Sequence, residues 1–323
     1  MVGMRIEIWA DVVCPWAYVG KRRLEHALAG VDAEVVWRPY RIDPTAPESS
    51  VLLDEALRDP AADEALRGCA PGLTPAQNRA RVADIAAAEG LGPPWGAVWR
   101  ANSHHAHRLL HLAYEHGGAA LQDDVAERVL RAHFVEGANI GDRRTLGDLA
   151  ARAGFAAGAT LLAGDAGDRE VRELLLVGKA RGIVTSPTYV VGDRALAGAQ
   201  SPEAIAAFVG AAGPGRDMPP EVRRLRWAES LLDQRDPLGA LTLLRPLLAE
   251  YPDDPNVRRL AARGYYHSAQ LSRALDVLER LVADAPDDSY ARLMLGKTLR
   301  RAGRHDEAGT HLRIAAAMTP AYG

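Results

Sequence analysis

The first forty residues contain two stretches of apolar and polar alternation that flank a helical pattern. Residues 4–9 alternate between apolar and polar side chains and predict a strand, and residues 33–40 predict a second one. Pro15 stands where a helix would begin, because proline fits the first turn, and residues 16–29 follow a helical period up to Gly30. The chain therefore opens as strand, turn, helix and strand.

The middle of the chain, from about residue 50 to about 181, has a helical pattern punctuated by glycine and proline. After it, two short apolar runs within residues 186–196 predict a hairpin, and a further helix begins at Ser201. Strands before and after a long helical block predict an α/β sheet with a helical insertion. We expect this first domain to cover residues 1–211.

A period of 34 residues dominates the C-terminal third of the chain. It is carried by prolines and alanines, namely Pro252, Pro286 and Pro320 with Ala240, Ala274 and Ala308. Thirty-four residues is the length of the tetratricopeptide repeat, a pair of antiparallel helices, and Leu295-Gly296 matches its small contact residue. We predict an all-α domain of three such repeats over 221–323, after a linker at 212–220. An unrelated helical bundle is the alternative.

Composition and charge narrow the classes of partner. The chain has 323 residues, 48% of them hydrophobic, and a formal net charge of −3, which fits about two folded domains rather than a disordered chain. Because long runs of one charge sign are missing, we expect no nucleic-acid partner. The sequence also lacks a signal-peptide pattern and a run long enough to span a bilayer, so we expect a cytoplasmic protein without membrane contact.

Cys14 and Cys69 are the two cysteines, too few for a disulfide framework in a chain of this length. Cys14 precedes Pro15 between a strand and a helix, so its sulfur would lie at a helix N-terminus. Unpaired N–H groups and the helix dipole there favour an anion, and we expect a pKa below the free-cysteine value of about 8.5. The alternative is that Cys14 is a small buried apolar residue.

The stretch from Asp11 to Glu25, centred on Cys14-Pro15-Trp16-Ala17, resembles the opening of the FrnE-like branch of the DsbA family. Members of that branch also resemble 2-hydroxychromene-2-carboxylate isomerases and kappa-class glutathione transferases. Further matches follow in order: Trp37-Arg38-Pro39-Tyr40 with Pro44, Asn102-Ser103 with Ala106-His107-Arg108, Phe134-Val135-Glu136-Gly137, Ser186-Pro187-Thr188 and Gly198-Ala199-Gln200. The resemblance covers about residues 4–210.

This resemblance implies a thioredoxin-like fold with a helical insertion and a catalytic Cys14. It also implies that Pro187 is the cis-proline facing the thiol, so that the Ser186 backbone can pair with an extended peptide or glutathione. The residues that we expect to bind substrate are Pro15, Trp16, Ser186, Pro187, Asn102 and Ser103. The Trp16 side chain is a candidate for the base of a substrate groove beside Cys14.

Ala17 is the main departure from the family pattern, which has a second cysteine at that position. Without that cysteine no disulfide can close within the tetrapeptide, so a mixed disulfide on Cys14 needs another thiol to release it. Cys69 is a candidate resolving thiol. The histidines His104, His107 and His111 share one helix face, but no cysteine or carboxylate joins them in sequence, and we expect no metal site.

Three functions remain open at this point. The first is a monothiol thiol–disulfide oxidoreductase or isomerase whose repeats recruit a protein or peptide client. The second is a glutathione-dependent isomerase or transferase acting on a small molecule, and the third is a catalytically inactive binding module. We expect no bound cofactor, and glutathione or another small thiol as the co-substrate.

Overall fold

The computed structural model describes residues 4–58, 72–212 and 218–322. The chain forms two compact units, one made of residues 1–178 and 183–216 and the other of residues 179–182 and 217–323. Within the described ranges, no helix combines the length and the apolar character needed to cross a bilayer.

The strands of the first unit form a four-stranded mixed sheet and a separate two-stranded pair. They are β1 (Met4–Ala10), β2 (Ala33–Pro39), β3 (Val51–Leu52), β4 (Trp99–Arg100), β5 (Thr188–Val191) and β6 (Arg194–Ala197). The larger sheet has the order β2-β1-β5-β6, with β2 parallel to β1 and β5 antiparallel to it. In this register Ile8 pairs with Trp37 on one side and with Tyr189 on the other, and all three are buried. The predicted strands and hairpin are confirmed.

The helices of the first unit include the two that the sequence predicts one by one, after Cys14 and after Ser201, and those of the insertion, for which it predicts only a helical block. They are α1 (Pro15–Ala27), α2 (Leu53–Ala56), α3 (Pro75–Ala88), α4 (His104–Phe134), α5 (Arg143–Arg152), α6 (Gly158–Ala163), α7 (Asp168–Ala180) and α8 (Pro202–Gly210). Ser201 caps α8, as its position predicts, by accepting a hydrogen bond from the N–H of Ala204 at 3.3 Å.

The insertion is less helical than the sequence predicts. Its described part contains the antiparallel pair β3 and β4, and α4 is interrupted at Gly118, whose φ of +68° favours glycine. The indole of Trp99 donates a hydrogen bond to the Gly137 carbonyl at 3.1 Å and so fixes β4 through a contact remote in sequence. Two-residue strands leave no periodic signal, which explains why the pattern missed them.

A buried ion cluster ties α1 to the second half of α4. Lys21 is almost fully buried and meets three carboxylates, those of Glu25, Asp123 at 3.1 Å and Glu127 at 3.3 Å. The Tyr18 hydroxyl also donates to Glu127, at 2.6 Å. The insertion therefore holds the helix that follows Cys14 in place.

The second unit contains three helix pairs. Its helices are α9 (Pro220–Asp233), α10 (Pro237–Glu250), α11 (Pro255–His267), α12 (Leu271–Asp284), α13 (Ser289–Arg301) and α14 (His305–Met318). The alanines of the period are buried in the second helix of each pair, and the prolines follow its end. A Cβ on Gly296 would lie 2.7 Å from Leu312, so the small residue permits close packing. The repeat prediction is confirmed in this unit.

Candidate active site

Cys14 lies between the end of β1 and the start of α1. It is the N-cap residue of the helix in extended conformation, and Pro15 occupies the first helical turn, as the sequence predicts. Its N–H donates to the Asp11 carbonyl at 2.9 Å, which closes the turn. Its side chain is 5% exposed, and the thiol donates to the Ser186 carbonyl at 3.4 Å.

The segment facing Cys14 is the entry to β5. The Ser186–Pro187 peptide bond is cis, as expected from the resemblance. The Ser186 hydroxyl accepts a hydrogen bond from the Asp11 N–H at 2.9 Å, and the Pro187 carbonyl accepts one from the Gly198 N–H at 2.8 Å. These bonds join the cysteine turn, the proline and the end of the hairpin.

Gly20 permits the close approach of α1 to this segment. A Cβ at this position would lie 2.5 Å from the Tyr189 hydroxyl and 2.8 Å from Pro187 Cγ. The Tyr189 hydroxyl donates to the Gly20 carbonyl at 2.9 Å. The sequence interpretation did not single out this glycine, although it stands one turn after the cysteine motif.

The expectation of a lowered pKa at Cys14 is wrong, because burial outweighs the helix N-terminus. Burial raises the pKa of the thiol to about 11, and the nearby Asp11 carboxylate also raises it. Hydrogen bonds from Ser186 and from the backbone of Trp16 and Ala17 lower the pKa by less. The N–H groups at the helix N-terminus therefore lower the pKa of Cys14, as predicted, but burial of the thiol raises it by more.

Asp11 is a fully buried carboxylate beside the thiol. It accepts hydrogen bonds from the Ile42 N–H at 2.7 Å and the Val13 N–H at 3.4 Å, and its Oδ1 lies 3.3 Å from His107 Nε2. Nearby His133 is also buried, and burial lowers its pKa to about 4. The Asp11 carboxylate is the polar centre of the site, a role that its position in the motif did not reveal.

A groove of about 390 Å³ opens beside Ser186, within the size range of small-ligand sites. It is lined by Trp16, Arg23, Arg81, Ile85, Thr185, Ser186, Gly198 and Ala199. The Arg81 guanidinium lies 5.7 Å from the centroid of the Trp16 ring. Trp16 and Ser186, both predicted to bind substrate, thus border one groove, whereas α3 contributes two residues that the sequence interpretation missed.

The other predicted site residues have different surroundings. Asn102 is occupied within the protein, since its amide donates to the Ala46 carbonyl at 3.1 Å and its oxygen accepts from the His104 N–H at 3.0 Å. Ser103 is buried as the N-cap residue of α4. The groove lining includes neither these two residues nor Pro15, Pro187 or Cys14 itself, whose neighbours Trp16 and Ser186 do line it. Cys69 lies outside the described residues.

The histidines at the start of α4 point to separate partners. His104 Nε2 lies 2.7 Å from Asp168 Oδ1, and His105 contacts the guanidinium groups of Arg108 and Arg143 at 3.2 and 3.0 Å. Burial and these two arginines lower the pKa of His105 to about 4. Across residues 4–58, 72–212 and 218–322, no three histidine, cysteine or acidic side chains are grouped to hold a metal ion.

A cysteine at a helix N-terminus, beside a cis-proline segment that enters the neighbouring strand of a mixed sheet, defines a thiol site of the thioredoxin-like class. The family comparison agrees: the profile of the DSBA-like thioredoxin domain matches residues 5–210, and the chain belongs to this family. A tetratricopeptide repeat profile matches residues 231–298.

Solved structures of the same fold include a probable DsbA oxidoreductase from Streptomyces coelicolor, with 28% identity and a TM-score of 0.55. That match covers 67% of this chain and 94% of the other. The cytosolic disulfide reductase DsbM of Pseudomonas aeruginosa matches 64% of this chain and 97% of its own, with 19% identity and a TM-score of 0.43. The uncharacterized protein YwbO of Bacillus subtilis is 40% identical over 42 residues, which span 13% of this chain and 21% of that relative.

Proposed function

We propose that the first unit is a monothiol enzyme of thiol–disulfide exchange, with Cys14 as its nucleophile. The observation that carries the proposal is the contact between the Cys14 thiol and the Ser186 carbonyl at 3.4 Å, beside an open groove. Ala17, fully buried one helical turn away, supplies no second thiol. Membership of a family of thiol oxidoreductases supports the same chemistry.

The exchange has two balanced steps. In the first, Cys14 sulfur attacks one sulfur of a substrate disulfide, forms a mixed disulfide with it, and the other sulfur leaves as a thiol that carries away the Cys14 proton. In the second, the sulfur of reduced glutathione attacks the substrate sulfur of the mixed disulfide. A disulfide forms between glutathione and the substrate, and Cys14 leaves and takes up the glutathione proton to become a thiol again. We place this exchange in the cytosol, where glutathione keeps thiols reduced.

The high pKa of Cys14 sets the conditions of the first step. With a pKa of about 11, about one molecule in ten thousand carries the thiolate at pH 7. Only the thiolate attacks a disulfide, so the rate is expected to rise with pH across the neutral range. A substrate that neutralises Asp11 or brings a positive charge to the thiol would accelerate the step.

Mass spectrometry and turnover test the monothiol proposal. The Cys69→Ala protein, incubated with oxidised glutathione, is expected to carry one glutathione on Cys14, and the same protein with Cys14→Ser added is expected to carry none. Turnover of a model disulfide should require added glutathione, whereas Ala17→Cys should form a reducible internal disulfide. If the unmodified chain turns over without added thiol and Cys69→Ala abolishes this activity, then Cys69 is the resolving thiol and the monothiol proposal fails.

A glutathione-dependent isomerase or transferase is the second candidate, favoured by the small volume of the groove and its arginine lining. In that case Cys14 would position or activate glutathione without a stable mixed disulfide. Conjugation of glutathione to an aromatic electrophile, followed by absorbance, separates the two candidates. Conjugation without a mixed disulfide on Cys14 would replace the first proposal by the second.

For the second unit, we propose that the repeats recruit a protein or peptide client. The support is the stack of three helix pairs, because such repeats present extended surfaces to partners. In the full chain, Lys297→Glu with Arg300→Glu reverses two charges on α13. We expect fewer proteins trapped as mixed disulfides on Cys14, with unchanged exchange of a small disulfide. Unchanged trapping would contradict recruitment through these two side chains.

A further inference from the structure

The groove beside Cys14 has an unbalanced charge. None of the residues that line it is acidic, whereas two of them, Arg23 and Arg81, are cationic. Arg23 is neutralised, because its Nε donates to Glu89 at 2.6 Å and its NH1 donates to the Ala199 carbonyl at 2.7 Å. The guanidinium of Arg81 has no carboxylate partner in the described part of the chain. Its guanidinium lies over the Trp16 ring, and the side chain is exposed and lines the groove.

Trp16 and α3 hold Arg81 in position. A guanidinium over an aromatic face is oriented by the ring, and it still presents the fork of N–H donors that matches a carboxylate. Ile85 lies one turn further along α3 and lines the same groove. A capping box of Thr74 and Gln77 begins α3, so the arginine stands on a regular helix beside the cysteine motif.

We propose that Arg81 binds a carboxylate of the thiol or disulfide that reacts with Cys14, and so makes the site selective for anionic substrates. This inference rests on the proposed exchange at Cys14 and adds the charge class of its substrate. The carboxylate comes either from a small acidic thiol such as glutathione or from an acidic side chain next to a cysteine in a peptide. In both cases a charge-assisted hydrogen bond to the guanidinium holds the reacting sulfur near Cys14.

The test compares anionic and neutral disulfides in the full chain with Cys69 replaced by alanine. The substrates are oxidised glutathione, its N-acetylated and fully esterified form, which carries no charge, and a symmetric peptide disulfide with blocked termini and either glutamate or glutamine beside the cysteine. Arg81→Gln is expected to lower the second-order rate constant of mixed-disulfide formation on Cys14 about tenfold for the anionic members and to leave that of the neutral members within about twofold. The preference for anionic substrates should weaken at high salt, because the arginine is exposed.

Arg79→Gln is the matched control, since it removes the same charge from an exposed position two residues away that does not line the groove. It should leave all four substrates unchanged, and Arg81→Lys should restore part of the anionic preference. A loss restricted to oxidised glutathione identifies a small thiol as the source of the carboxylate, and a loss restricted to the glutamate peptide identifies a protein segment.

Two results would overturn the assignment of Arg81. One is an equal loss for charged and neutral disulfides in Arg81→Gln, which would mean that the arginine only supports Trp16. The other is an unchanged preference for anionic substrates in the same variant. Both differ from failure of the proposed function, in which the unsubstituted chain exchanges none of the four disulfides.

Discussion

At the scale of single residues, burial and the local backbone have opposite effects on the pKa of Cys14. Cys14 occupies the helix N-terminus that the sequence predicts, yet its pKa moves upward because the side chain is withdrawn from water and faces Asp11. Local sequence fixes which N–H groups point at the sulfur. It contains no information on how many atoms of distant elements cover the sulfur, so the direction of the shift could not be predicted from it.

Replacing Asp11 tests its part in this shift. We expect Asp11→Asn to lower the pKa of Cys14, because a negative charge beside the thiol disfavours the thiolate, and to speed alkylation at pH 7 about threefold or more. The measurement is the rate of iodoacetamide reaction against pH in a Cys69→Ala background. Asp32→Asn, at an exposed position, is the control. An alkylation midpoint unchanged by Asp11→Asn would refute the assignment.

The raised pKa also makes stability depend on pH. The folded protein keeps Cys14 protonated up to about pH 11, whereas an unfolded cysteine ionises from its ordinary value of 9.0. The stabilising contribution is therefore complete below about pH 9 and is lost as pH rises towards 11. At pH 10 we expect the unfolding free energy to have fallen by about 1 to 2 kcal/mol more than in Cys14→Ser, measured by urea denaturation. Equal losses in the two proteins would contradict the shift.

At the scale of elements, the close packing of α1 on β5 aligns the two halves of the site. This approach depends on Gly20, where the Tyr189 hydroxyl and the ring of Pro187 leave no room for a side chain. The individual strands and helices were predictable because their periods are strong. Their contact was not, because it joins segments about 170 residues apart.

Gly20→Ala tests this packing. We expect the substitution to cost about 1–3 kcal/mol of folding stability and to slow exchange at Cys14, because the added methyl group must displace Tyr189 or Pro187. Chemical denaturation and the exchange rate measure the two effects. Gly210→Ala is the control, since a methyl group at the end of α8 meets no atom within 4 Å. Wild-type stability and activity in Gly20→Ala would show that α1 and β5 adapt freely.

For the whole molecule, the central question is whether the two units fold independently. The repeats bury their alanines and leucines on one another, as in the cluster of Ala274, Leu278, Leu281 and Leu295. We therefore expect the fragment 216–323 to be helical by circular dichroism and to unfold cooperatively. Gly296→Leu should lower the midpoint of its unfolding, because Leu312 fills the adjacent space. An unfolded fragment would disprove independent folding.

The sequence by itself determined the order of elements, the repeat period and the position of Cys14 before a helix. These features depend on short-range periodicity and on proline, glycine and capping residues, whose effects are local. The family resemblance added the cis-proline. In the insertion, the same local rules did not predict the two-residue strands β3 and β4, because these strands are stabilised by pairing with each other.

The tertiary structure alone decided the properties of the site. It buried Asp11 beside the thiol and placed Arg81 of α3 against Trp16, whereas the family resemblance had already implied that the Ser186–Pro187 segment faces the thiol. The contacts of Cys14 with Ser186 and of Arg81 with Trp16 join residues far apart in sequence, and the pKa of Cys14 depends on the total burial of the site. Electrostatics in a protein depends on distance and solvent access in three dimensions, which the order of residues along the chain does not specify.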